Sequence, residues 1–279
     1  MAKILVTGAS GFIGKNLVPR LRTCQHNVIE VNSSDGDVSD SCTWLNFQRA
    51  DILIHLAGST FVPDSWKDPN TFLKTNLHGT LCALDYCRQH GSRFIYLSSY
   101  LYGNPSKLPI DESAPLFASN PYALSKKMAE EVCKFYADHY GVKIAILRPF
   151  NVYGLGQSEQ FLIPSLINQV CAGNTICVKD LEPRRDYVYI DDLVDAIIKA
   201  IDVDFDFDIF NIGTGVSYSV ADLIDIIQNI KGTSLDVISD CERRTGEIMD
   251  TQADISKALN ILGWKPKNSL LVGLQKLAS

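Results

Sequence analysis

The sequence predicts an α/β fold: a doubly wound parallel sheet with a smaller, interleaved α+β unit toward the C-terminus. Three observations carry that expectation. An apolar run, Ile4-Leu5-Val6, precedes glycines at 8, 11 and 14 and then a helical pattern. Runs of strand length alternate with segments of helical spacing as far as Arg148. Beyond Pro149 the alternation weakens, and loops with Gly, Pro and Asn separate shorter elements. With 279 residues and neither repeat nor low-complexity linker, the chain can bury a large core, and the second unit should pack intimately on the first.

Each element follows in turn. Gly8 permits a tight turn, Gly11 lets a ligand approach the backbone, and Gly14 lets the helix lie close to the strand. The helix start at Phe12 and Ile13 offers free N–H groups and a positive dipole end, which suit a pyrophosphate. Residues 15–21 continue the helix, with a kink expected at Pro19 because it cannot donate to the Lys15 carbonyl. Asn27–Val31 reads as the second strand, 32–38 as a polar stretch, and Asp51–Gly58 as a third strand ending in a small-residue loop. Helical spacing over 70–90 precedes the strand Arg93–Ser99. After a Pro-rich loop, a helix runs from Tyr122 to Tyr140, closed by Gly141. Val142–Arg148 is a further strand, and helices are expected over 192–201 and 220–230. Residues 202–208 alternate acidic and apolar side chains and read as a solvated edge.

Composition excludes several classes. Hydrophobic content of 46%, charge of 21% and a net charge of −6 describe an ordinary globular chain with no call for nucleic acid or an anionic membrane. No apolar run reaches the roughly 20 residues of a membrane span, and a cytoplasmic protein is expected. The eight cysteines show no Cys-x-x-Cys pair and mostly lie in apolar surroundings, so buried free thiols are expected. The histidines show no ligand spacing, and no metal is expected.

Chemistry concentrates in Tyr122 and Lys126, four residues apart on one helix face. A phenol titrates near 10 and works poorly at neutral pH; a nearby ammonium would lower that value. Tyr-x-x-x-Lys is common by chance, so the pair gains weight from its context. Ser98 and Ser99 end a strand at the same carboxyl edge as the glycine turn, where a hydroxyl could bond a substrate oxygen or merely satisfy a loop backbone.

Thr7-Gly8-Ala9-Ser10-Gly11-Phe12-Ile13-Gly14, with its Gly-x-x-Gly-x-x-Gly spacing, resembles the extended branch of the short-chain dehydrogenase/reductase superfamily, the NAD(P)-dependent epimerases, dehydratases and reductases of nucleotide sugars. Ser98 to Gly103 followed by Pro121-Tyr122-Ala123-Leu124-Ser125-Lys126 resembles its Ser…Tyr-x-x-x-Lys set. His55 to Gly58, Asn76 to Thr80, Arg148 to Gly154, Arg185 to Asp192 and Arg244 to Glu247 resemble further signatures, in order, over most of residues 3–266. The resemblance implies a Rossmann-type fold. It gives residues 1–151 and 185–215 to a dinucleotide-binding unit and 152–184 and 216–279 to a unit for the nucleotide-diphosphate sugar, in a homodimer.

It also implies roles. Tyr122 is the proton donor or acceptor, and Lys126 binds the nicotinamide ribose and tunes Tyr122. The substrate hydroxyl is Ser98 counting back from Gly103 and Ser99 counting along the strand; Ser98 is preferred. Cofactor contacts fall on Gly8, Gly11, Phe12, Ile13 and Gly14; on Asn32 and Ser33; on Asp37 and Val38 at the adenine; on Leu56, Ala57, Gly58 and Thr60; and on Asn76, Pro149 and Phe150. Ser99 and Asn151 hold the sugar, and Arg185 and Arg244 pair with its diphosphate, with Arg184 and Arg243 as solvated neighbours. The Asp-Glu pair of the 4,6-dehydratases is replaced by Ser99 and Tyr100. The Cys and His of the GDP-fucose synthases are absent at Tyr100 and at Leu155-Gly156-Gln157. A 4-keto sugar reductase and a 4-epimerase remain, with a non-catalytic nucleotide sensor as a third class. The second strand ends in Asn32 and Ser33 without a carboxylate, so of NADP(H) and NAD(H) the balance favours NADP(H).

Overall fold

A computed structural model describes residues 1–173, 175–241 and 247–278. The chain opens with β1 (Lys3–Thr7), α1 (Phe12–Thr23) and β2 (Asn27–Val31), then a single turn, α2 (Ser41–Trp44), and β3 (Ile52–His55). α3 (Val62–Lys67) and α4 (Pro69–Phe72) lead through a π-helical turn, Leu73–His78, into α5 (Gly79–His90) and β4 (Arg93–Leu97). α6 (Pro121–Tyr140) and β5 (Ile144–Pro149) complete the first half. These strands and one later strand form a six-stranded parallel sheet.

The second half weaves outward and back. β6 (Asn151–Tyr153), α7 (Leu162–Ala172), β7 (Ile176–Val178) and β8 (Arg184–Tyr189) lead away from the sheet. α8 (Ile190–Asp202) returns to it, and β9 (Phe207–Ile212) pairs with β5 as its last strand. β10 (Ser217–Ser219), α9 (Val220–Lys231), β11 (Val237–Ser239), a π-helical turn at Ala258–Leu262 and α10 (Leu270–Ala278) follow. β8 lies between β6 and β10 in a three-stranded sheet, and β7 pairs with β11.

The main sheet has the order β2-β1-β3-β4-β5-β9, so the winding reverses between β1 and β3. A crevice opens at such a switch point, at the carboxyl ends of the strands. The loops after β1 and β3 touch there: a Cβ on Gly8, whose φ is +66°, would stand 2.8 Å from the Ala57 amide nitrogen. α5 and α6 cover one sheet face over Leu5, Leu53, Phe94, Tyr96 and Ile146. α1 and α8 cover the other, over a core that continues unbroken to Leu223, Trp264 and Leu274 of the second unit. Such continuity is what the missing linker led us to expect.

α1 includes Pro19 and extends to Thr23, two residues past the expected span; Lys15, whose carbonyl loses its partner, is exposed, so water can solvate that group. The alternation over 202–208 is the solvated edge expected: Asp202, Asp204 and Asp206 are exposed, Asp204 is held by Lys143 at 2.8 Å, and residues 207–208 begin the edge strand β9. The cysteines are free, but only Cys87 and Cys133 are buried; Cys24, Cys42, Cys171, Cys177 and Cys241 are exposed. Apolar neighbours in sequence did not mean apolar neighbours in space. No helix among the described residues is long and apolar enough to cross a membrane, and no described cluster of His, Cys, Asp or Glu could hold a metal.

Candidate active site

The glycine turn is shaped by close backbone contact. A Cβ on Gly14 would lie 2.5 Å from the carbonyl oxygens of both Gly8 and Ala9, so that position admits only glycine. Gly11 is different: it caps α1 at φ −75°, and a Cβ there meets only the Gly8 oxygen, at 3.2 Å. No side chain caps α1 and no acid stands in its first turn. The N-terminus at half-buried Phe12 and Ile13 therefore presents its dipole to an anion.

Asn32, at the end of β2, braces the turn. Its side-chain oxygen accepts from the Ser10 amide at 2.8 Å, and its own amide donates to Asp35 at 2.8 Å. Ser33 and Ser34 are exposed beside it. Asp37 accepts from the Ser39 amide and hydroxyl and from Lys74 at 2.8 Å; these bonds, Lys74's first, hold its pKa down to about 2. Val38 closes on Gly79, where an added Cβ would meet it at 3.0 Å.

After β3, Leu56, Ala57 and Gly58 are half-buried, and Thr60 is exposed. Asn76, in the π-helical turn, clips this loop to α6. It accepts from the Ser59 amide at 2.8 Å and donates to the Ser59 carbonyl at 3.0 Å and the Ser125 hydroxyl at 2.9 Å. The wider π turn carries this buried polar residue inward. Beneath the loop, His55 is buried with Nδ1 on Thr7 Oγ1 at 2.8 Å; burial lowers its pKa to about 3, so the ring is neutral.

Asn120 caps α6 by accepting from the Ala123 amide at 2.8 Å and so starts the helix that presents Tyr122 and Lys126. The two residues reach the carboxyl edge together. Lys126 is buried, donates to the Leu97 carbonyl at 2.8 Å and lies 4.8 Å above the Tyr96 ring. A Cβ on Gly58 would come within 3.6 Å of its nitrogen. Burial lowers its pKa to about 8, against the pull of Glu130. Tyr122 is half-buried, edge-on to Phe72. Burial pushes its phenol up and the Ser99 hydroxyl draws it back.

The two serines part company. Ser98 is buried and turned inward, donating to Glu130, whereas Ser99 is half-buried and its hydroxyl acts on the Tyr122 phenol. Successive residues leaving a strand face opposite ways, which separates the two hydroxyls. Sequence reasoning also missed Glu130 and the buried Arg148 that grips it, at 2.6 Å for the shortest contact. Two signals were available: Glu130 stands one turn after Lys126, and Arg148 is a charge inside an apolar run.

On the far wall, Tyr100 stacks on Phe150 at 5.4 Å, and Pro149 and Phe150 are buried. Asn151, half-buried at the start of β6, donates from its side chain to the Asp186 carbonyl at 3.4 Å. Arg185 pairs with Glu247 and donates to the Ile248 carbonyl at 2.6 Å. Arg184, expected to be solvated, is tied to Asp222 at 3.1 Å and to the Ser217 carbonyl at 2.7 Å. Asp186 is buried and accepts from Thr214, Gly215 and Ala253, a bracket for the loop after β9. Arg244 and Arg243 lie outside the described residues.

A glycine turn at the switch point of a doubly wound sheet, next to a Ser, Tyr and Lys group, defines a dinucleotide-binding protein of the short-chain dehydrogenase/reductase class. Within it, residues 4–213 match the NAD dependent epimerase/dehydratase family, and the chain belongs to that family. Its relatives include a putative UDP-glucose 4-epimerase of Methanocaldococcus jannaschii, 33% identical, covering 99% of this chain and 97% of the relative. The GDP-6-deoxy-D-mannose reductase of Pseudomonas aeruginosa is 29% identical, over 99% and 96%. Among solved structures, the Thermotoga maritima UDP-glucose 4-epimerase with UDP-glucose superposes with a TM-score of 0.93 at 29% identity, covering 99% and 97%. The structure of RMD from Pseudomonas aeruginosa with NADPH gives 0.91 at 29%, over 100% and 98%.

Proposed function

We propose that this protein is an NAD(P)-dependent oxidoreductase that reduces a 4-keto or 4-keto-6-deoxy sugar carried on a nucleoside diphosphate. The observation that carries the reading is Tyr122 one helical turn from the buried Lys126 ammonium, which lies beside Gly58 and on the Leu97 carbonyl where β4 ends toward Ser99. The cofactor supplies the hydride when bound. Tyr122, kept in its phenol form by burial, holds the proton that the sugar oxygen takes up. Ser99 orients that oxygen, and Lys126 stabilises the phenolate left behind. Ser98 has no direct part.

The dinucleotide's pyrophosphate belongs on the uncapped start of α1 at Gly11, Phe12 and Ile13, where the missing Cβ leaves room. Its adenosine belongs between Asn32, Ser33, Asp37 and Val38, and its nicotinamide half along Leu56, Ala57, Gly58, Thr60, Asn76, Pro149 and Phe150. The exposed Ser33 and Ser34 and the uncharged Asn32 support NADP(H) over NAD(H). Arg185 and Arg244 are assigned the diphosphate and Asn151 the sugar. The protein is read as a cytoplasmic homodimer, a state that sedimentation equilibrium would measure as twice the chain mass.

A 4-epimerase is the second reading, favoured by the UDP-glucose 4-epimerases among the relatives and served by the same residues. Incubation with NADPH and GDP- or dTDP-linked 4-keto-6-deoxy sugars, and separately with UDP-glucose, separates the two. Stoichiometric loss of NADPH supports the reductase. UDP-galactose formed without net cofactor loss, with NAD⁺ retained through purification, replaces it by the epimerase. Binding without turnover of any of these sugars would leave the sensor.

A further inference from the structure

We propose that Glu130 is a positioning residue of this site: it grips Ser98 and Arg148 together and thereby sets the neighbouring Ser99 on the Tyr122 phenol. The proposal rests on the Ser99, Tyr122 and Lys126 reading above. Tyr122, Lys126 and Glu130 follow one another at four-residue intervals on α6 and share a face. The Glu130 carboxylate is 5% exposed and Arg148 is 4% exposed. Arg148 Nε donates to the two carboxylate oxygens at 3.1 and 3.2 Å and its Nη2 to Oε2 at 2.6 Å, while the Ser98 hydroxyl donates to Oε1. Arg148 also donates to the Tyr102 hydroxyl at 2.8 Å, and Tyr102 donates to Asn211 on β9.

Such a pair is not what a core needs for stability, because apolar residues of the same volume serve that purpose as well or better. Its placement shows what it does. The backbone entering Ser99 is pinned at three successive groups: the Leu97 carbonyl by Lys126 at 2.8 Å, the Ser98 amide by the Leu147 carbonyl at 2.8 Å, and the Ser98 hydroxyl by Glu130. Two of the three pins come from α6, the helix that carries Tyr122. Ser99 and Tyr122 are thus held to one frame, and a shift of either is a shift of both.

Glu130 also bears on Lys126. That ammonium is faced by Glu130 and Cys133 on α6, by the Tyr96 ring on β4 and by neutral His55 on β3. Glu130 is the one carboxylate in this set and works against the burial that lowers the lysine's pKa.

Glu130→Gln and Ser98→Ala, alongside Tyr122→Phe and Ser99→Ala, test the proposal in whichever reaction the wild type catalyses. Melting temperature, kcat, both KM values and the pH profile are recorded for each. Ser98→Ala leaves the ion pair whole and should lower kcat about tenfold with KM unchanged, the mark of a displaced partner. Glu130→Gln should lower kcat and also move the limb near pH 8 toward acid, which a purely structural loss would not do. Wild-type kcat and pH profile in both variants, with Tyr122→Phe inactive, would overturn the positioning role alone. A loss in Ser98→Ala equal to that of Tyr122→Phe, with Ser99→Ala intact, would overturn it by making Ser98 the hydroxyl that meets substrate. An active Tyr122→Phe would remove the underlying reading instead. If Glu130→Gln does not fold, Ser98→Ala decides.

Discussion

Ser98 and Ser99 are neighbours beyond the end of β4, yet one is committed to a buried carboxylate and the other faces Tyr122. Ser99→Ala should therefore cost about 10²-fold in turnover while leaving cofactor affinity unchanged, a larger loss than Ser98→Ala gives; steady-state kinetics with calorimetric binding of NADPH checks both. Lys126 sets an upper pH boundary. With its pKa at about 8, the ammonium is charged below that value and lost above it, so kcat should fall as pH rises through 8. His55 sets a lower boundary for stability. Its folded pKa is about 3 against 6.5 for a free imidazole, so below pH 6.5 the unfolded chain takes up a proton that the folded chain refuses. Stability should fall between pH 6.5 and 3, by on the order of 3 kcal/mol at pH 4.5 from this residue. Urea midpoints for His55→Asn should decline less over that interval than those of the wild type.

At the scale of elements, the three glycines of the first turn separate into two kinds. Gly8 and Gly14 are required by the protein's own backbone, whereas Gly11 has little against it but the space outside. Gly11→Val should keep the melting temperature within a few degrees and abolish NAD(P)(H) binding by calorimetry, while Gly14→Ala should lower both. Asn120 is a similar lever on α6: Asn120→Ala removes the cap and should cost about 1 kcal/mol in denaturant unfolding. These features were legible to different degrees. Gly8 at a left-handed turn, the span of α6 and its Gly141 end follow from local rules that need no tertiary context. The π-helical turn at Leu73–His78 was not legible, because its residues keep helical spacing and only Asn76's partners, 17 and 49 residues away, explain it.

Across the whole molecule, the parallel sheet could be read because strand and helix alternate along the sequence in the order they stack. The small sheets of the second unit could not, although the helix over 220–230 could, since β6, β8 and β10 are three residues to six residues long and find their partners only by returning from elsewhere. The buried Glu130 and Arg148 stayed hidden for the same reason: a charge reads as surface until the element opposite is known. The interleaving has a consequence for how such proteins diversify. The chain leaves the main sheet after β5, comes back as α8 and β9, and leaves again, while one apolar core runs through both units. A chimaera that takes everything beyond residue 150 from a relative would import β9 along with the second unit and would have to match that foreign β9 to the native β5. A single splice should therefore yield insoluble protein more often than a new specificity. In this architecture a change of sugar comes more readily by point substitution within shared strands than by trading a module.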